Sequence, residues 1–514
     1  MGARNPFVPD WVDAAGGQNV FLPDWIAGKA QRDPGDYAGH RHSFLPEWAR
    51  PPLPGDSDHE VPGGRPLVIK GGHCVIPYSG VVTQDVLLSG GRIRSIGHDI
   101  STAGCDVIRA EGKYVLPGLV DPHVHLGIFS DFDGELSTET ASALINGVTT
   151  IGLYVGGSGS YVPFLDSLIE KTGTVSRVDI FAHVAILDRT QLAEIPLYSA
   201  KYGVRSFKVY MSGIPGLIPS ADDGFLLDTM EAVAALGKGA VLNIHAENPE
   251  VIEWASKRGR NSAPDGGLRE WEESRPAFAE REAIQRALLL AERSGVKLYF
   301  VHVSSAEAVA FLRSARATAP GRFHAETTSP YLSMTYDDRQ GALAVMSPPV
   351  RGDRDRQELW KALADGTIDT IGTDHTPQTV EEKTGGRSFW DTVPGYPAVG
   401  THLPFLLDGA RRHGLPLVRL VENSAANPAR IFGLYPRKGT LLPGSDADLV
   451  IVDLDRIKEI GSAGAHSRSD FALRQGERVI GWPVTVVKGG QVLYPDDPSL
   501  DLRRFDGASY IARH

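Results

Sequence analysis

The chain has 514 residues, 42% of them hydrophobic, and a formal net charge of −11 from 63 acidic and 52 basic residues. It is long enough to bury a large core, and the lack of a basic block speaks against nucleic acid or an anionic membrane as a partner. Two cysteines and no apolar run of about 18 residues predict a soluble, cytoplasmic protein without a disulfide framework.

Residues 1–60 are rich in Pro, Gly, Asp and Trp and lack periodicity, which indicates a flexible arm. A heptapeptide with Phe, a branched aliphatic residue, Pro, an acid and Trp in fixed order recurs at 5–11, 19–25 and 42–48. Its uneven spacing does not suit a fold-forming repeat. We expect docking motifs that tether the protein to a partner or a compartment shell with added avidity. The alternative is an arm that folds back onto its own barrel or oligomer. The predicted contact residues are the aromatic ones: Phe7, Trp11, Phe21, Trp25, Phe44 and Trp48.

Short segments at 67–70, 81–88 and 92–96, in which apolar and polar residues alternate, predict β-strands. Segments 447–453 and 484–493 have the same pattern. Two similar β segments on either side of a long middle region predict one small β-sandwich built from both ends of the chain.

The middle region alternates buried strands with helical patterns such as 225–236 and 281–293. Eight parallel strands in about 320 residues predict a (β/α)₈ barrel of the TIM type. A doubly wound open sheet is the alternative, but no Gly-x-Gly-x-x-Gly follows the first strand. The predicted strands are 115–125, 149–155, 178–186, 204–211, 240–246, 297–304, 322–328 and 368–375. The predicted units are the arm 1–60, the β-sandwich parts 61–113 and 437–495, the barrel 114–436 and a tail 496–514.

The first barrel strand ends in His123 and His125. Alternate strand residues point to the same side, so both rings can hold one metal ion, and neutral imidazole is a common metal ligand. A pair of ordinary surface or core histidines would show the same short pattern. The other strand ends decide between these interpretations.

Four further side chains lie where barrel strands carry active sites: Lys208, His245, His302 and Asp374. A lysine buried beside metals loses its proton readily, and its free amine can take up carbon dioxide to form N6-carboxylysine, whose oxygens can bridge two ions. Four histidines, this carbamate and one carboxylate predict two divalent metals. This donor set favours Zn²⁺, with Mn, Co or Fe as alternatives. Each residue alone is more often structural than functional, but the set of six is not.

The chain resembles the amidohydrolase superfamily over about residues 66–495, and within it the cyclic amidohydrolases: hydantoinase and dihydropyrimidinase first, then allantoinase and dihydroorotase. The motifs that carry the resemblance are 118–125, 206–211, 244–248, 301–305, 329–332, 346–351, 373–377 and 427–435. It implies metal-ligand roles for His123, His125, Lys208, His245, His302 and Asp374, and a homotetramer. Non-catalytic relatives have lost metal ligands, whereas this chain keeps all six.

The resemblance implies that hydroxide held between two metals attacks a ring amide carbon of a hydantoin or dihydropyrimidine, while Asp374 passes the proton to the leaving nitrogen. Allantoinase, dihydroorotase or cyclic-imide hydrolase activity is the alternative. A scaffold protein acting through its repeats is an alternative of another class, which the intact ligand set opposes.

Specificity is where the sequence departs from hydantoinases. A family tyrosine that helps to hold the oxyanion is replaced by Gly213. Either another donor such as Tyr154 or Ser212 supplies that hydrogen bond, or the metal alone holds the oxyanion at some cost in rate. A substrate-contacting asparagine is replaced by Gly395 or deleted. The loops 128–136 and 156–161 also differ, which leaves the ring that is hydrolysed open. The predicted substrate contacts are Tyr154, Tyr210, Ser347 and Gly395.

Overall fold

A computed structural model describes residues 65–214, 216–461, 466–505 and 507–513. The arm 1–60 and its three repeats lie outside these residues. The strands, numbered in chain order, are β1 (Leu67–Ile76), β2 (Gly80–Ser89), β3 (Arg92–Gly97), β4 (Asp106–Arg109), β5 (Tyr114–Pro117), β6 (Leu119–Val124), β7 (Val148–Val155), β8 (Asp179–Ala185), β9 (Ser206–Tyr210), β10 (Val241–His245), β11 (Leu298–Phe300), β12 (Phe323–Thr328), β13 (Thr370–Gly372), β14 (Leu449–Glu459), β15 (Arg478–Lys488) and β16 (Gln491–Leu493).

Helices follow most strands of the middle region, and their ends obey local rules. The helix Asp223–Ala235 begins where the Asp222 side chain accepts a hydrogen bond from the Phe225 amide. The helix Ala277–Ser294 ends at Gly295, which has a φ of 71°. The α-helices are Phe132–Ile145, Val162–Thr174, Arg189–Tyr202, Asp223–Ala235, Pro249–Ser262, Leu268–Ser274, Ala277–Ser294, Ala306–Thr318, Ser329–Ser333, Asp353–Asp365, Val380–Lys383, His402–His413, Leu417–Val421 and Asn427–Ile431. Among the described residues, none of these helices is long and apolar enough to cross a membrane.

Strands β6 to β13 form one sheet in sequence order, with parallel neighbours. The sheet closes where the His125 amide donates to the His375 carbonyl at 2.8 Å and Val124 bridges to His375. Side chains such as Leu153, Phe207 and Leu242 are buried in its core. The predicted (β/α)₈ barrel is therefore confirmed, and it places the carboxyl ends of all eight strands around one opening.

The second sheet is mixed and draws its strands from both ends of the chain, in the order β16-β15-β14-β5-β1-β2-β3, with β4 parallel to β1. Residues from both ends, including Ile69, Val86, Leu449 and Val487, pack in its core. The predicted small β unit built from both ends is confirmed.

The predicted strand 115–125 is divided between the two sheets. Its first part belongs to β5, which pairs with β14, and its second part to β6 in the barrel. The chain changes sheet at Gly118, whose amide donates to the Asp448 carbonyl at 2.9 Å. A Cβ at Gly118 would lie 2.3 Å from Thr149 Oγ1, so only glycine allows this close approach.

A buried ion cluster fastens the two units together. The Lys438 ammonium lies 2.7 Å from Asp446 and 2.6 Å from Asp448, and it also contacts Asp179 at the start of β8. Lys488 reaches Asp179 at 2.9 Å. These three aspartates have the spacing of a metal site, but the Lys438 ammonium already lies among them, and Lys488 contacts two of them.

The C-terminal residues pack against the barrel wall. Strands β8 and β9 pair over a short stretch, in which Val184 and Ala185 at the end of β8 lie beside Phe207 and Lys208. Below that point the Ile511 amide donates to the Ile180 carbonyl at 2.8 Å, and the Arg513 amide donates to the Gly203 carbonyl at 3.0 Å. The tail thus completes backbone hydrogen bonding that the two strands leave open.

Candidate active site

The carboxyl ends of five barrel strands bring the six predicted ligand residues to one cavity of about 610 Å³. The ligand residues that line it are His123, His125, Lys208, His245, His302 and Asp374. The four predicted substrate contacts, Tyr154, Tyr210, Ser347 and Gly395, line the same cavity.

One group of donor atoms stands at the junction of β6 and β13. His123 Nε2 lies 3.2 Å from His125 Nε2 and 3.2 Å from Asp374 Oδ1, and His125 Nε2 lies 3.3 Å from Asp374 Oδ1. Three donor atoms that point at one another at this spacing could hold a metal ion.

A second group lies across the cavity. His245 Nδ1 and His302 Nε2 are 3.0 Å apart. Lys208 is fully buried, and in the described part of the chain its Nζ has no hydrogen-bond partner. That Nζ lies 4.9 Å from the ring centres of both Tyr154 and Tyr210. The Lys208 amine is therefore free to become the predicted carbamate, whose oxygens could coordinate a cation.

Buried carboxylates fix which ring nitrogens face the cavity. Glu326 Oε1 lies 2.7 Å from His123 Nδ1, and Glu247 Oε2 lies 2.8 Å from His245 Nε2. Each carboxylate accepts the proton of the nitrogen beside it, so His123 Nε2 and His245 Nδ1 keep free lone pairs. This orientation fits metal ligation.

The protonation states agree with this role. Burial lowers the pKa of His123, His245 and His302, so these rings are neutral at pH 7. Burial also lowers the pKa of Lys208 to about 7, which leaves much of its amine uncharged. For Asp374, burial would raise the pKa, but the neighbouring histidines bring it below its ordinary value and keep the carboxylate ionised.

Two of the cavity residues have unusual backbone geometry. His302 and Asp374 follow β11 and β13 with φ values of 42° and 54°, in the left-handed region that non-glycine residues rarely adopt. Such strain concentrates at functional sites because it re-aims a side chain that a regular strand would point elsewhere.

The model of the amidohydrolase family matches residues 114–493. The chain belongs to the amidohydrolase family. This amidohydrolase is 35% identical over 431 residues to an L-hydantoinase of Paenarthrobacter aurescens, an alignment that covers 81% of this chain and 92% of that protein. It is 35% identical over 409 residues to an allantoinase of Solibacter usitatus, covering 76% and 84% of the two chains.

Solved structures show the same fold. A crystal structure of a D-hydantoinase superposes with a TM-score of 0.79 at 29% identity and covers 87% of this amidohydrolase and 99% of that chain. A dihydropyrimidinase of Brevibacillus agri gives a TM-score of 0.77 at 28% identity, with 87% and 97% covered. The predicted membership of the cyclic amidohydrolase group is confirmed.

The amidohydrolase chain turns sharply at Gly213, which has a φ of 63°. A Cβ there would lie 2.6 Å from the Ile218 carbonyl oxygen, so no side chain fits at this position. The Ser212 hydroxyl donates to the Gly213 carbonyl, and Ser212 does not line the cavity. Tyr154 stacks its ring on His125 with centres 5.2 Å apart, and its hydroxyl is buried.

Sequence reasoning missed three residues of the amidohydrolase site: Glu247, Glu326 and Tyr396. Glu247 could have been predicted, because it follows His245 by two residues. A metal-ligating histidine commonly donates its other ring N–H to a nearby carboxylate. Glu326 is an isolated acid within β12, a pattern that fits a solvated strand residue equally well. Tyr396 lines the cavity with its hydroxyl 3.5 Å from Asp374 Oδ2, and its one signal in the sequence was that it follows the predicted substrate contact Gly395.

Proposed function

We propose that this protein hydrolyses a ring C–N bond of a cyclic amide or ureide of the hydantoin or dihydropyrimidine type, with two divalent metal ions, Zn²⁺ foremost. The observation that carries the proposal is the convergence of six donor side chains on one cavity, with Glu326 and Glu247 orienting two of the histidines. The hydantoinase and dihydropyrimidinase relatives support the same substrate class.

His123, His125 and Asp374 would hold one ion, and His245 with His302 the other. Lys208, carboxylated on its amine by carbon dioxide, would join the two. Bound ions of this kind lower the pKa of a shared water and polarise a substrate carbonyl.

Asp374 has the position and charge to move the proton. Its Oδ1 faces the histidines, and its Oδ2 faces Tyr396 across the cavity. As a carboxylate at neutral pH it can accept the proton that the attacking water loses when the new C–O bond forms. It then gives that proton to the ring nitrogen as the C–N bond breaks, so the ring opens to an N-carbamoyl or amido acid.

The cavity wall favours an uncharged ring with an apolar substituent. Leu126, Ile128, Phe129 and Leu217 contribute to its lining. Within the described part of the chain, the lining includes no arginine, and Lys208 is its one lysine. A substrate carboxylate would therefore have no cationic partner apart from the metal site, which disfavours dihydroorotate. Allantoin and cyclic imides stay as alternatives within the same reaction class.

The test is ring opening by protein grown with zinc and bicarbonate, assayed with hydantoin, a 5-aryl hydantoin, dihydrouracil, allantoin, dihydroorotate and succinimide. We expect turnover of a hydantoin or of dihydrouracil, none of dihydroorotate, and loss of turnover by about 10²–10⁴-fold in Asp374→Asn. Turnover of dihydroorotate alone would contradict the proposed substrate class.

The proposal also includes a tethering arm, a cytoplasmic location and a homotetramer. The recurrence of one heptapeptide three times in residues 1–60 supports an arm that tethers the enzyme to a protein partner or compartment shell. A cytoplasmic location is supported by the two unpaired cysteines. A homotetramer rests on the resemblance to hydantoinases.

A further inference from the structure

Lys383 is a buried lysine that the proposed chemistry does not use. It ends the short helix Val380–Lys383, and its side chain is fully buried. Within the described part of the chain, no carboxylate forms an ion pair with it. An ammonium buried in this way loses its hydration, so its retention calls for another set of partners.

Those partners are three backbone carbonyl oxygens. Lys383 Nζ donates to Val345 O at 2.9 Å, Val393 O at 3.0 Å and Gly395 O at 2.5 Å. Burial lowers the pKa of Lys383 to about 7, but its three N–H groups match three carbonyl acceptors one to one, which is the hydrogen bonding that an ammonium needs. No other donor in the described residues reaches these oxygens, so removal of the amine would leave three buried carbonyls unpaired.

The three carbonyls belong to two separate segments of the cavity wall. Val345 directly precedes Met346 and Ser347, and the second segment contains Pro394, Gly395 and Tyr396; all five of these neighbours line the cavity. Lys383 thus ties together two loops that are far apart in sequence and that both line the cavity.

The lysine itself is held in place. Its own carbonyl accepts a hydrogen bond from the Val393 amide at 3.2 Å. A capping box of Thr379 and Glu382 fixes its helix, and Glu382 pairs with Arg468 at 2.5 Å. Arg468 lies between β14 and β15, so this part of the small β unit also holds the helix in place.

We propose that Lys383 is a positioning residue that sets the spacing of the 345–347 and 393–396 segments and thereby shapes the part of the cavity wall that binds the ring. It does not touch the reacting atoms. The predicted change in KM rests on the proposed function. The predicted change in hydrogen exchange of the two segments can be measured without any substrate.

The test compares wild type, Lys383→Met and the surface control Lys361→Met, whose lysine is 65% exposed. In Lys383→Met we expect KM to rise by about tenfold or more while kcat changes by less than about threefold and metal content is kept. Hydrogen exchange should speed up in both 345–347 and 393–398. Lys361→Met should match wild type in all three measurements.

An unchanged KM, or unchanged exchange in both segments, would overturn the proposal. If Lys383→Met does not fold, Lys383→Gln, which keeps two N–H donors, decides by the same two measurements. If wild type opens no ring in the panel, the proposed function fails, while the exchange comparison still decides the role of Lys383.

Discussion

At the residue scale, Glu326 shows how one buried side chain organises the cavity. Its carboxylate accepts hydrogen bonds from His123 Nδ1 at 2.7 Å, the His302 amide at 3.1 Å and the Tyr299 hydroxyl at 2.8 Å. It therefore orients a histidine from each of the two donor groups. We expect such a residue to matter for metal affinity nearly as much as the ligands do.

The corresponding variant is Glu326→Gln, which keeps the shape but puts an amide where the carboxylate accepts protons. We expect zinc affinity, measured by competition with a chelator, to fall by about 10–100-fold. Glu307→Gln, at an exposed position, is the control. Equal zinc affinity in Glu326→Gln and wild type would show that His123 is oriented without Glu326.

The sequence predicted the residues that line the cavity better than those that support them. His123, His125 and Asp374 stand at strand ends within specific motifs, so their convergence could be expected from the barrel alone. Their roles as ligands stay predictions. Lys383 ends a short helix and Tyr396 lies on a loop, and both are buried by tertiary contacts that leave no local pattern in the sequence.

At the scale of elements, the sequence predicted all eight barrel strands but not the division of the first. The apolar run 114–120 is continuous, so periodicity cannot show that β5 and β6 belong to different sheets. The division depends on contacts of Gly118 with Thr149 and Asp448, which are distant in sequence. The consequence is that the small β unit connects directly to the strand that carries His123.

The Lys438 cluster gives a test of how the two units hold together. Lys438→Met would remove the cation that contacts Asp179, Asp446 and Asp448 together, and would leave them only their outer partners such as Lys488. We expect a loss of about 3 kcal/mol in the free energy of unfolding at neutral pH, the low end of the range for a broken buried pair. Urea unfolding followed by circular dichroism measures it. A loss below about 1 kcal/mol, as for a surface pair, would contradict the buried-cluster account.

The pH dependence of that loss has a definite sign. Burial would raise the pKa of Asp179 and of Asp446, but Lys438 brings both below the ordinary value. The stabilisation is therefore present above the ordinary carboxylate pKa and disappears as the pH falls through the lowered values. The difference between wild type and Lys438→Met should shrink from about pH 5 downward. A difference that grows in acid would contradict this assignment.

At the scale of the whole molecule, the fold predicted from the sequence is confirmed. It could be predicted because the strands and helices of the barrel are long periodic segments and because both ends of the chain carry similar strand patterns. The packing of the tail against β8 was not predicted, since a few residues of backbone pairing leave no pattern in the sequence. The three repeats of the arm 1–60 can be recognised in the sequence, but they lie outside the described residues, so their role stays a prediction.

Deletion of residues 1–60 tests the tether. We expect kcat and KM to match those of the full chain, while co-purification of the partner or shell protein is lost. A full-length control in which the six repeat aromatics are replaced by alanine should behave like the deletion. Loss of turnover in either variant would instead make the arm part of the fold or the oligomer.

The central claim is that ring opening depends on two metal ions held with a carboxylated Lys208. The most direct measurement follows ring opening while zinc is added back to chelator-treated protein, with and without bicarbonate, for wild type and Lys208→Met. We expect wild-type activity to require bicarbonate and to rise until two ions are bound per chain, and we expect Lys208→Met to stay inactive. Full activity in metal-free protein, or in Lys208→Met, would contradict it.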